Sequence, residues 1–443
     1  MLTKLLSSTL IAALAVASFV AKIGVSAQVM RAPDKEKVLH NFGRGKDGAL
    51  PEAGLIFDAA GNMYGTTFWG GSYLCGYDNG CGTIFRLTPS ANGTWTEKVL
   101  YSFGSQGCEP AAALILDAAG NLYGTASGND CDNGTVFRLA PGHNDIWTYS
   151  VLYSFEGGAD GAEPVSSLIS DAAGNLYGTT AGGGEFGWGA AFELKPQAGG
   201  KWTEKVLHSF NPNAEDGSFP VAALIFDPAG NLYGTTWSGG FSGSSCDVYG
   251  CGTVFQLTSS ANGNWKERVL HRFKDNGKDG HNPDAGLVLD AGGNLYGTTG
   301  NGGRASCSGG YGCGTVFELM PGVNGNWTEK VLHSFQNNGS DGLYPEAGLT
   351  LDAVGNLYGT TSEGGISRYG CNTSGCGTAF VLKPNANGNW TEEVLHRFDN
   401  TANDGNFPAA GMIFGPHGNL YGTTIAGGSV CTGNCGTVFK ITQ

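Results

Sequence analysis

The sequence predicts an all-β fold: a seven-bladed β-propeller of four-stranded antiparallel blades, closed into a ring by its N-terminal strand. Two observations carry this. One phrase recurs seven times, and the two chain ends supply complementary parts of a single unit. The phrase G-N-[LM]-Y-G-T begins at Gly61, Gly120, Gly174, Gly230, Gly293, Gly355 and Gly418, at intervals of 54 to 63 residues. Self-similarity at such a period marks a repeat architecture, and four short strands per repeat mark a propeller blade.

In chain order, Lys4 precedes an apolar run, Leu10 to Val20, and Val25-Ser26-Ala27 offers a small-x-small cleavage site. That is the layout of a secretory signal peptide. The rival reading is an N-terminal membrane anchor, but the run is short and broken by Ser18 and Lys22. Residues 1–27 are therefore expected to be removed, leaving a short leader, 28–34, and a propeller over 35–443. No later segment is long and apolar enough to span a membrane.

The first complete unit shows four strand-like segments. Strand A is Ala53–Asp58, B is Met63–Thr67, C is Thr83–Leu87 and D is Trp95–Phe103. Ala59-Ala60-Gly61-Asn62 turns A into B, and Asn92-Gly93 turns C into D. Strand D also occurs alone at Lys35–Phe42, while the last unit, Ala409–Thr442, has A, B and C without D. A ring explains such ends, because residues 35–42 complete the seventh blade. Strand A begins with small pairs such as Ala53-Gly54 and Ala285-Gly286, which suits seven strands converging on one axis.

Composition then falls into place. The 76 glycines among 443 residues lack a three-residue period, so collagen is excluded; they serve turns and close approach. With 40% hydrophobic and 11% aromatic residues the chain is not disordered. A net charge of −14 without a basic patch excludes nucleic acid as a partner.

Five units carry a cysteine pair in the B–C loop: Cys75/Cys81, Cys246/Cys251, Cys307/Cys313, Cys371/Cys376 and Cys431/Cys435. Zinc is the rival to disulfides, but the spacing is not C-x2-C and each blade offers a single pair. Cys108, between D and A, and Cys131, between B and C, fall on loops that antiparallel order places on one face, so they form the sixth pair. On the same face, D-G-x-x-P precedes strand A at Asp47, Asp160, Asp216, Asp279, Asp341 and Asp404. An Asp-Gly turn is the favoured reading and calcium sites the alternative; no cofactor is otherwise expected.

Candidate site residues are those that break the repeat. Six tryptophans share one strand-D position, which leaves Trp69, Trp188 and Trp237 in B–C loops, with Phe68, Phe186 and Phe241 beside them. Such rings suit sugar stacking or protein contact. Just after the proline stand Glu52, Asp284 and Glu346, where other units have Ala or Val. These carboxylates could hold a cation or act as acid and base, although nothing in their blade order requires them to converge. His40, His208, His271, His333 and His396 share a position that is tyrosine at Tyr101 and Tyr153, which points to packing and not to ligation. No nucleophile elbow or zinc-protease motif is present.

The combined phrase, G-N-L-Y-G-T-T with Gly-Gly after it, then C-G-T-V-F and N-G-x-W-T-E-x-V-L, resembles the GloVer tandem-repeat family over about residues 36–443. The resemblance implies an exported bacterial protein and transfers no catalytic residues. Because the chain reaches Gln443 directly after the last strand C, secretion or periplasmic residence is expected over surface anchoring. The expected function is a monomeric, non-enzymatic binding propeller contacting glycan or protein through its B–C and D–A loops. A structural envelope protein, or a polysaccharide lyase or hydrolase using the rim carboxylates, are the alternatives.

Overall fold

Each blade grows outward from the repeated phrase. In a computed structural model, strand B of the first blade, Met63–Thr67, pairs with strand A, Ile56–Phe57, and strand C, Thr83–Pro89; strand D, Trp95–Ser102, is outermost. Seven antiparallel four-stranded sheets share this order. The seventh takes its strand D from the other end of the chain: Glu36–Asn41 pairs with Thr437–Ile441. The described residues are 36–443 except 44, 74–79, 105–106, 129–131, 215, 241–245, 247–248, 305–306, 308–309, 366–370, 372–373, 400, 402–403 and 430–434. The expected signal peptide and leader lie outside them. No helix among the described residues is long and apolar enough to cross a membrane.

Packing dictates the glycine inside strand B. A Cβ on Gly65 would stand 2.6 Å from Cζ of Phe85, and one on Gly234 would stand 2.6 Å from Cζ of Phe255. These strand-C phenylalanines are fully buried and lie across the gap that the glycine leaves.

Strand A is shorter than expected. Of Ala53–Asp58 only Ile56 and Phe57 join the ladder, because Ala53–Leu55 run along the crowded axis where no further strand fits. One carbonyl of each such segment is satisfied by the adjoining blade. Thr66 Oγ1 donates to the carbonyl of Ala112 (3.3 Å), Thr125 to Ser166 (3.0 Å), Thr179 to Ala222 (3.1 Å) and Thr235 to Ala285 (3.0 Å). Thr298 reaches Ala347, Thr360 reaches Ala410, and Thr423 reaches Ala53, each at 3.0 Å, which closes the circle.

The strand-D histidines do more than pack. A bulge in strand D shifts the register just before them, so that Ala191 faces His208 while Phe192 faces Val206. His208 Nε2 then meets Asp216 Oδ2 at 2.8 Å, while its ring packs edge-on to Phe210. Tyr153 makes the equivalent contact, its hydroxyl donating to Asp160 at 3.0 Å. The five histidines and Tyr153 thus hydrogen-bond or pair with the Asp-Gly aspartate, which corrects the expectation of packing alone; Tyr101, whose seam lacks that turn, stacks on Tyr149 instead.

Adding the methyl group of Gly234→Ala should force Phe255 out of position and cost about 1–3 kcal/mol, as overpacking does. Chemical denaturation should show a lower midpoint with an unchanged slope. A wild-type midpoint would mean the strand-B glycine is not a packing requirement.

Candidate functional site

Two of the repeated motifs prove to be halves of one joint between blades. In all seven units the residue before the proline sits at positive φ, between 55° and 61°: Leu50, Glu109, Glu163, Phe219, Asn282, Tyr344 and Phe407. Its N–H donates to the B–C loop of the preceding blade, as Asn282 does to the Cys251 carbonyl (2.9 Å) and Tyr344 to that of Cys313 (3.0 Å). Its carbonyl accepts from the residue after strand B in its own blade, as Phe219 does from Trp237 (3.0 Å). The proline packs on the glycine of C-G-T: a Cβ on Gly252 would lie 2.6 Å from Pro283 Cδ.

In blades that carry a cysteine pair, a disulfide fixes the loop that supplies the acceptor; the third blade, whose Trp188 carbonyl accepts from Phe219, has none. Cys246–Cys251, Cys307–Cys313 and Cys371–Cys376 are disulfides with Cα atoms 5.1 to 5.2 Å apart. Cys81, Cys108 and Cys435 are also disulfide-bonded; their expected partners Cys75, Cys131 and Cys431 lie outside the described residues. Short ladders join the D–A and B–C loops of one blade, such as Gly217–Ser218 with Ser238–Gly239, so both loops occupy one face.

On that face the axis opens into a cavity of about 360 Å3 lined by strand A of every blade. Glu52, Asp284 and Glu346 all line it. A Cβ on Gly300 would come within 2.6 Å of Asp284 Oδ2 and 3.8 Å of Glu346 Cγ, so these two carboxyls flank the same bare glycine. Burial, and then the charge of Glu346, push Asp284 up to about 8. Burial, then the charge of Glu109, lift Glu52 to about 7. Glu346 is raised by burial and by Glu363, against the hydrogen bond of Ser362. The mouth therefore carries carboxyl groups that hold protons near neutrality.

The six expected aromatics do not form one surface. Phe68 and Trp69 sit together on the first blade, their ring centroids 6.1 Å apart. Trp188 and Trp237 are on the third and fourth blades, with Phe219 between them at 5.2 and 6.4 Å. Tyr249, 45% exposed, stands 4.9 Å from Trp188. Phe186 is 46% exposed on the same loop as Trp188, and Phe241 lies outside the described residues. Phe219 and Tyr249, in the aromatic cluster, and Glu109, whose charge acts on Glu52, are additions that the repeat pattern did not mark as site residues.

The Gloeobacter/Verrucomicrobia repeat matches residues 20–246, 127–372 and 306–443. No curated protein matches the chain in sequence. Among solved structures, a fungal alcohol oxidase of the AA5 family, in complex with copper, is similar at 15% identity and a TM-score of 0.54, over 91% of this chain and 75% of that one. The extracellular domain of a two-component system protein from B. thetaiotaomicron is similar at 10% identity and a TM-score of 0.53. That match covers 91% of this chain and only 39% of the other. These likenesses concern the fold alone.

A carboxyl raised by folding destabilises the native state once the unfolded chain would ionise it. For Asp284 this loss begins near the ordinary aspartate value of 3.8 and grows as pH rises to about 8. Asp284→Asn should therefore melt with the wild type at about pH 4 and several degrees above it at about pH 8.5. Equal melting at both pH values, followed by calorimetry, would remove Asp284 from a buried, proton-holding position.

Proposed function

The chain belongs to the Gloeobacter/Verrucomicrobia repeat family, and on that premise we propose that it is an exported, non-enzymatic binding propeller whose loop face takes up a glycan. One observation carries the reading: Trp188, Phe219, Trp237 and Tyr249, from two adjacent blades, gather into one aromatic cluster, while Glu52, Asp284 and Glu346 line the axial cavity. Aromatic faces stack on the C–H faces of sugar rings. Carboxyls that keep a proton near neutrality both donate and accept hydrogen bonds, which matches hydroxyl groups better than it matches a charged partner. Export rests on the apolar run with its small-x-small end in residues 1–27 and on the paired cysteines.

A second reading is favoured by the Asp284–Glu346 pair. Two carboxyls, both raised by burial and lining one cavity, are the equipment of acid–base catalysis, so a polysaccharide lyase or hydrolase stands as the alternative.

Titration against an immobilised glycan panel separates these readings. Trp237→Ala should weaken the strongest interaction about tenfold or more, near 1.4 kcal/mol, while the melting temperature stays within a few degrees. Binding unchanged by that substitution would refute the aromatic site. Depolymerisation of a bound polysaccharide, abolished by Glu346→Gln, would replace the binding reading with the enzymatic one.

A further inference from the structure

Away from the channel, the outer seams between blades hold a second set of polar side chains. At five of the seven seams the strand-D histidine of one blade meets the Asp-Gly aspartate that begins the next, and that next blade's strand D contributes a glutamate. His208 Nε2 lies 2.8 Å from Asp216, His333 3.3 Å from Asp341 and His396 3.0 Å from Asp404. Glu267, Glu392 and Glu36 complete these three seams, where one nitrogen and two carboxylate oxygens lie within 4.8 Å of one another. His271–Asp279–Glu329 repeats the set.

Two further observations point to an occupant. First, Oε1 of Glu267, Glu329 and Glu392 is buried without a hydrogen-bond partner among the described residues. Oδ1 of Asp279 is in the same position, on a residue only 7% exposed. Arg272 and Arg397 lie near Glu267 and Glu392 and offset part of their charge, yet leave those oxygens unbonded. Second, the aspartate and glutamate are kept or lost together, and both remain at the Tyr153–Asp160–Glu204 seam, where tyrosine replaces the histidine. The one seam without the Asp-Gly turn has Tyr149 in place of the glutamate and Tyr101 in place of the histidine, and these rings stack at 4.1 Å. Repulsion alone would favour keeping the glutamate where the aspartate is gone; a shared ligand explains their joint departure.

We propose that the His208–Asp216–Glu267, His333–Asp341–Glu392 and His396–Asp404–Glu36 seams each bind a divalent cation of the class that takes mixed imidazole and carboxylate ligands, with Zn2+ the fitting probe. The cation would bridge adjacent blades and meet the buried carboxylate oxygens. Calcium, which prefers six to eight oxygens, suits the set less well.

The test uses the untagged protein incubated with Zn2+, desalted, and analysed for bound metal by mass spectrometry and for melting temperature. About three or more Zn2+ per chain are expected, with a higher melting temperature than the chelator-treated protein. The variant H208Y/H333Y/H396Y copies the protein's own solution at Tyr153 and Asp160, so it should keep the fold while losing about three Zn2+. Glu267→Gln with Glu392→Gln, which alters no ring, should lose about two. Fewer than one Zn2+ per wild-type chain, or a stoichiometry that neither variant changes, would overturn the proposal.

Discussion

Everything in this propeller depends on satisfying the inner edge of strand A. Seven strands converge on the axis, and no eighth can pair with the carbonyls they turn toward one another. A buried carbonyl left without a donor costs about 1–3 kcal/mol, so seven of them would outweigh much of a domain's net stability. The strand-B threonine removes that cost by donating across the blade boundary, from Thr66 to Ala112 and onward round to Thr423 and Ala53. The solution is reciprocal and admits no ends. An open array would strand the Ala53 carbonyl at one terminus and the Thr423 hydroxyl at the other, whereas the ring pairs them.

A second set of backbone bonds, at the proline joint, has a different consequence. Main chain and disulfides hold this joint, so the side chain before the proline is not needed for it and varies from leucine to glutamate, asparagine, phenylalanine and tyrosine. Holding a non-glycine residue at positive φ costs on the order of 1 kcal/mol, and seven such positions persist because the joint determines them. An invariant frame with interchangeable side chains at its mouth can acquire new binding surfaces without refolding. The aromatic sector around Phe219 and the acidic sector around Asp284 are two outcomes on the same frame.

The sequence disclosed what its period encodes. Blade number, closure and the shared loop face follow from spacing and from the missing strand D, and the carboxylates at 52, 284 and 346 stand out against alanine and valine. Other features depend on relations that a period does not carry. Phe219-Pro220 reads as extended chain, since a proline disfavours helical geometry before it, and nothing in the pattern reveals that Phe219 turns to meet Trp188 of the preceding blade. The strand-D histidines hide their role for a similar reason. A bulge breaks the two-residue alternation just before them and turns His208 toward a partner eight residues on.

The second blade supplies the control that separates scaffold from function at the seams. It joins its predecessor through a Tyr101–Tyr149 stack, with a disulfide-bonded Cys108 nearby, and without the aspartate and glutamate present at the other six seams. Replacing buried charged groups with well-packed rings is often neutral or stabilising, and the ring closes across this seam without them. Folding therefore does not require the polar set, and a chain selected only for a stable ring could use tyrosine pairs throughout. Six seams nevertheless retain the aspartate with its glutamate, bearing the desolvation of two carboxyls at each. A group that is costly to bury, dispensable for closure and kept as a set is explained by what it holds.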